Sequence, residues 1–308
     1  MSPEWPALPP FESWSDTCDT LHAHTQVLGK LAVVMAPPEP QLQHAALRLT
    51  ARGWETLPLP ARDGSGALVV LLDLRSHEAV VEHDDGRVRR IALTPDRPVG
   101  EVARQIVAAV GELAGAEVKI DPTPQEVSWT VPLDQDDEHA RYDPERVAAY
   151  FAAATQAALV LAEYRAPYRG PSTPVNAWWG SFDLAVSLFS GLPADPPSDE
   201  FITRNSMDVQ EVVVGWWPGD AKFGEAAFYS YAHPAPEGFA DAAPSPSASR
   251  WDAGLGLFVL DWDGVRSAPD PHAFALEFAR SSFRRACLVC DWDPSLSASA
   301  EGNPPPVH

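Results

Sequence analysis

The sequence predicts an α+β protein of two similar halves, each a helix, an antiparallel sheet and a second helix, forming one body. Three observations carry this. Segments with apolar residues at three- and four-residue spacing alternate with short segments of two-residue alternation. Tight-turn signals join neighbouring strand-like segments. The order helix, strands, helix occurs twice along the 308 residues.

The leading helix starts at Ser15 or Asp16, both good N-cap residues, and is expected to reach about Gly29. Strand-like segments follow at 46–50, 56–60, 67–75, 78–83 and 87–93. His83-Asp84-Asp85-Gly86-Arg87 marks a hairpin, since Asp-Gly supplies the positive φ of a tight turn. A helix over 99–113 buries Val102, Ile106, Val107, Val110 and Leu113 along one face. In the second half, Asp143-Pro144 opens a helix to about Tyr164, with proline in its first turn. Strands are expected at 177–189, 209–215, 226–232 and 255–260, and Asp270-Pro271 opens a last helix to about Cys290. Thr25-Gln26 and Thr155-Gln156 hold matching places in the two leading helices.

This order predicts an extended Pro-rich arm (1–12), a first half (13–133), a second half (143–292) and a disordered tail (293–308). The acidic run Asp134-Gln135-Asp136-Asp137-Glu138 reads as a solvated seam between the halves, and 242–250 as a surface loop.

With 22 Lys+Arg against 43 Asp+Glu, the net charge of −21 argues against nucleic acid and anionic membrane surfaces as partners. The absence of an apolar run of about 18 residues argues against a membrane span, and Met1 to Pro6 lacks the features of a signal peptide. Cys18, Cys287 and Cys290 are too few for a disulfide framework, which suits a reducing, cytoplasmic compartment. Cys287 and Cys290 are expected as small core residues. The expected partner is a small molecule; the oligomeric state is left open.

Asp19, His22 and Gln26 fall at spacings of three and four and share one helix face. Buried, an imidazole beside a carboxylate is a proton-transfer pair. His44, after a Pro-rich turn, is a second imidazole that can converge on the same place. The aromatic runs Asn176-Ala177-Trp178-Trp179-Gly180 and Gly215-Trp216-Trp217-Pro218-Gly219 are expected to send one indole of each pair inward. With Phe228, Tyr229 or Tyr231 they would line a substrate pocket, against the plainer reading of a Trp-rich core. Asp183, by alternation on the face of Trp179 and Ser181, is a general-acid candidate, and His233 closes another strand. His24, His77, His83, His139, His272 and His308 are expected to be solvated.

Ser181 lacks the flanking glycines of a nucleophile elbow, and no phosphate loop, dinucleotide fingerprint or zinc-protease helix occurs. The leading expectation is therefore an acid–base enzyme of isomerase, cyclase or lyase type, working without metal or cofactor on a partly apolar substrate. His22, oriented by Asp19 or Gln26, would move a proton, with Asp183 or His233 as its partner. The alternatives are a non-catalytic small-molecule-binding protein and a metal-dependent hydrolase or oxygenase using His22 and His44.

Several stretches belong to one pattern: Trp14 with Asp16-Thr17 and Thr20-Leu21-His22, Thr25-Gln26, Gly29-Lys30, Thr50-Ala51-Arg52-Gly53, Trp179-Gly180-Ser181-Phe182-Asp183-Leu184-Ala185 and Gly215-Trp216-Trp217-Pro218-Gly219. Together they resemble a bacterial domain-of-unknown-function family with no assigned activity, over roughly Trp5 to Trp292. The resemblance implies an Asn-His-Trp-Trp-His run in relatives where this chain has Pro40-Gln41-Leu42-Gln43-His44. It also implies a His at the place of Asn176 and a His-Glu pair near Val209-Gln210-Glu211. Such imidazoles would suit a transition metal in relatives, and their replacement would weaken that site here.

Overall fold

The computed structural model describes residues 5–300, so the parts of the predicted arm and tail at 1–4 and 301–308 lie outside the described residues. It shows a mixed α+β protein whose sheets are antiparallel. Two compact units divide the chain. One holds Phe11–Phe151 with Asn176–Phe182; the other holds Ala152–Val175, Asp183 onward, and the N-terminal residues up to Pro10.

In the first unit, helix α1 (Ser15–Met35) runs past Gly29 and ends only before Pro37-Pro38. Nearly every residue from Thr17 to Ala32 is buried, polar ones included, so packing rather than a single apolar stripe holds it. Strands β1 (Arg48–Leu49), β2 (Gly53–Glu55), β3 (Leu59–Pro60), β4 (Ala67–Asp73), β5 (Glu78–His83) and β6 (Val88–Ala92) follow. The sheet order is β1-β2-β4-β5-β6, with β3 also on β4. The predicted hairpin forms between β5 and β6, with Gly86 at φ 91°. His83, expected in solvent, is buried beneath that turn: its Nδ1 accepts the Asp85 N–H at 3.2 Å. Helix α2 (Val99–Leu113) buries the predicted face except Val107, which is half-buried.

Helix α3 (Pro144–Arg165) belongs to the first unit through Phe151 and to the second from Ala152. Among the described residues it is the one helix long and apolar enough, by length and composition, to cross a membrane. It is not an unbroken apolar run, because Thr155 and Gln156 interrupt it and Glu145, Arg146, Glu163 and Arg165 flank it. Its buried residues Val147, Tyr150, Ala154, Ala157, Leu161 and Tyr164 recur every three or four positions, as on a helix packed along one side.

The predicted strand 177–189 is two strands, β7 (Asn176–Trp178) and β8 (Asp183–Pro193), because Trp179–Phe182 form a turn with Phe182 at φ 56°. The alternation that placed Trp179 and Ser181 on the face of Asp183 therefore does not apply. In the second unit, β8 is followed by α4 (Phe201–Ser206), β9 (Val209–Trp217), β10 (Ala227–His233), β11 (Arg250–Asp252) and β12 (Leu257–Asp261). Their order is β11-β12-β10-β9-β8, which differs from the order in the first unit. β11 starts at the end of the predicted 242–250 loop. Helices α5 (Trp262–Arg266) and α6 (Pro271–Val289) close the unit; α7 (Pro294–Ala300) stands where a disordered tail was expected. Asp270 caps α6 by accepting the Ala273 N–H at 3.0 Å. The N-terminal arm is anchored through Trp5, whose ring lies 5.0 Å from that of Trp262, and Trp262 donates to the Pro6 carbonyl.

Candidate functional site

Helix α1 presents Asp19, His22, Gln26 and Lys30 on one face, about one residue per turn. Residues 121–139, which carry no helix or strand, run along it in the opposite direction. Gln26 makes two hydrogen bonds to the Gln125 backbone: its Nε2 donates to the carbonyl at 2.9 Å and its Oε1 accepts the N–H at 2.9 Å. His22 meets Trp129 edge-on, with centroids 5.9 Å apart. Lys30 feels the charge of Asp121, and Asp19 that of His139. The predicted helix stripe is thus one side of a seam.

At the Asp19 end lies a carboxylate–imidazole pair that the sequence reading assigned to solvent. Asp136 is fully buried, and its Oδ2 accepts the Nδ1–H of His139 at 2.8 Å. Its Oδ1 accepts the backbone N–H groups of Glu138 (3.0 Å) and His139 (2.9 Å). The first turn of α2 holds the loop: Val99 N–H donates to the His139 carbonyl and Gly100 N–H to that of Asp136. A Cβ at position 100 would lie 2.8 Å from the Asp136 nitrogen, so glycine permits this approach. The missed signal was the Asp136/His139 spacing, in which the Asp side chain caps the N–H groups two and three positions on and aims the imidazole.

Burial pushes the Asp136 carboxyl up, but the bonds from His139 and the backbone outweigh it and hold it below its usual range. The Asp136 bond raises His139 above the ordinary 6.5. Asp19, half-buried, is raised by desolvation despite the opposing pull of His139. His139 Nδ1 is committed to Asp136, so Nε2 is the atom left to exchange a proton. Trp129, half-buried, flanks it at 4.9 Å between centroids.

His22 is buried as predicted, and Gln26 Nε2 lies 3.4 Å from its Nε2, but two backbone carbonyls stand closer to that nitrogen. Its Nε2 lies 2.9 Å from the Trp179 carbonyl and 3.0 Å from that of Gly180. Carbonyls only accept, so Nε2 carries the proton and Nδ1 the lone pair. Burial lowers its pKa to about 4, leaving the ring neutral. Phe182 stacks on it at 4.9 Å and on Trp54 and Tyr150 at 5.2 and 5.1 Å, and Trp54 Nε1 donates to the Tyr150 hydroxyl. His22 thus ties the Trp179–Phe182 turn to α1. His24, also expected in solvent, is buried, and desolvation lowers its pKa to about 4.

His44 is buried and its Nδ1 accepts the Glu39 N–H at 3.0 Å. Asn176 accepts from Arg48 and donates to Gln43 Oε1 at 3.1 Å, so this side chain is engaged by its neighbours. Trp178 is half-buried, whereas Trp179 is buried against Gly29 with the Lys30 ammonium over its ring.

In the second unit, pairing register places Asp183, Ser187, Glu211, Trp217, Tyr229, Tyr231 and His233 on one face of β8, β9 and β10. Trp216 lies on the opposite face, with its ring 5.6 Å from that of Trp262, so it is core. Tyr229 donates to Asp183 Oδ2. Its ring crosses Gly215, where a Cβ would overlap it. Burial drives Glu211 up to about 7 against the Ser187 bond. His233 is half-buried, with Nε2 3.0 Å from the Asp195 carbonyl.

The family described as "Family of unknown function (DUF5996)" matches residues 5–299. The chain belongs to this family. No curated protein and no solved structure matches it. The DUF5996 match includes the Asp136–His139 pair and the carboxylate-bearing sheet face. Among the described residues, no group of three or more His, Cys, Asp or Glu is arranged to hold a metal ion.

Proposed function

We propose that this chain is an acid–base enzyme of isomerase, cyclase or lyase type acting on a small, partly apolar molecule. His139 is its proton-transfer residue. The observation that carries the reading is the 2.8 Å bond from the His139 imidazole to a fully buried carboxylate. Asp136 fixes the tautomer and stabilises the imidazolium, so Nε2 takes a proton from a substrate carbon or oxygen and returns it elsewhere. Asp19, raised by burial and within electrostatic reach, is the second proton carrier. Trp129 offers the flat apolar surface, and neutral His22, edge-on to it, holds the Trp179–Phe182 turn. The proton steps use side chains alone, and the three free cysteines fit a cytoplasmic setting.

The test is untargeted. A metabolite extract is incubated with the chain and with His139→Ala, and mass spectrometry follows features that change. The reading predicts that wild type converts some features into isomers of equal mass or into products lighter by water, and that the variant does not. Equal conversion by both proteins, or none by wild type, contradicts it.

A further inference from the structure

Helix α2 and the loop that follows it form an open cavity of about 550 Å³, a size usual for small-molecule sites. The outward side of α2 contributes Val107, Ala108 and Gly111, which are small enough to leave the space unfilled. On the facing wall, Val118 is buried and Ile120 half-buried, whereas Glu117, Lys119 and Asp121 are exposed. This two-residue alternation marks an extended segment with its apolar side chains turned inward. Leu133 completes the wall, and its N–H donates to the Pro122 carbonyl at 2.8 Å.

The charges at the cavity cancel: Arg104 and Lys119 stand against Glu117 and Asp134. Lys119 pairs with Glu117 at 3.4 Å, and Arg104 donates to the main-chain carbonyl of Asp134. Among the described residues, no group donates to the Asp134 carboxylate or forms an ion pair with it. Its Oδ1 is shut off from water without a partner, so it has given up solvation without replacement. Turning the carboxylate toward the cavity breaks no hydrogen bond and lets a bound donor meet it. We propose that this cavity binds a small uncharged molecule with a flat apolar body and one hydroxyl or N–H donor, which Asp134 accepts. The apolar walls favour the body, and the cancelling charges favour no ion of either sign. His139 does not line the cavity, so this site and the proton-transfer residue stand or fall separately.

The test is equilibrium dialysis of the full chain against naphthol, its methyl ether and naphthoate. Expected is one saturable site for naphthol. The ether should bind about tenfold more weakly, as loss of a hydrogen bond to a charged acceptor implies, and naphthoate should also bind more weakly. Ala108→Trp puts an indole into the cavity from an exposed helix position, so it should abolish binding while circular dichroism is unchanged. Asp134→Ala should lower the affinity for naphthol to that for the ether and leave the ether unaffected. His139→Ala should alter neither. Absence of a saturable site overturns the proposal, as does naphthol bound no more tightly than its ether or naphthoate. So does binding that survives Ala108→Trp, or that is lost in His139→Ala.

Discussion

Trp179 lies so close over Gly29 of α1 that a Cβ at position 29 would overlap the indole ring. Alanine improves a helix interior by about 1 kcal/mol over glycine, yet overpacking costs about 1–3 kcal/mol. The obstacle is a buried ring rather than the flexible end of a chain, so overpacking should dominate. Gly29→Ala is expected to lower stability by roughly 1–2 kcal/mol in urea unfolding; unchanged or increased stability would show that the indole has room to move.

Phe182 adopts φ 56° and stacks with His22, Trp54 and Tyr150. A left-handed backbone at a bulky residue persists only where its surroundings hold it. Phe182→Ala should cost about 3–5 kcal/mol, because the stack loses its shared ring. A loss below about 1 kcal/mol would mean that the rings contribute little.

These two contacts show what could and could not be read from sequence. The hairpin at 83–87 and α2 were legible because a turn signal and a clear period act locally. The split of the 177–189 segment was not, because Phe182 enters the left-handed region only through ring contacts distant in sequence. At the site, the burial of His22 and its place on a polar helix stripe were legible. Its closest partners were not, since they are backbone carbonyls more than 150 positions away. Asp136 and His139 were hidden for another reason. An acidic run reads as solvated, and nothing in its composition shows that α2 holds one of its carboxylates in the interior.

His22 and His24 both have pKa values lowered to about 4 by burial. A depressed imidazole pKa means the unfolded chain takes up protons first as pH falls below about 6.5. Stability should therefore drop between pH 6.5 and pH 4, by about 3 kcal/mol per ring at the lower limit. His22→Gln combined with His24→Gln should flatten that slope in denaturant titrations at several pH values. A slope unaltered by both replacements would contradict the burial of neutral rings.

Glu211 works in the opposite direction. Its pKa is raised by burial from 4.5 to about 7, so the unfolded chain ionises first and stability is lost as pH rises from about 4.5 to 7. Glu211→Gln keeps an acceptor for Ser187 and removes the buried charge. It is expected to raise stability at pH 8 by about 1–3 kcal/mol and to leave pH 4 nearly unchanged. A destabilised variant at pH 8 would mean that the ionised carboxylate is well accommodated.

The most direct measurement is the NMR titration of His139 in the wild-type chain and in Asp136→Asn. The buried Asp136 carboxylate should hold the wild-type midpoint above 6.5 with the proton on Nδ1. In Asp136→Asn the midpoint should fall and the tautomer preference should weaken. A His139 midpoint at or below 6.5 that does not move with Asp136→Asn would contradict the account.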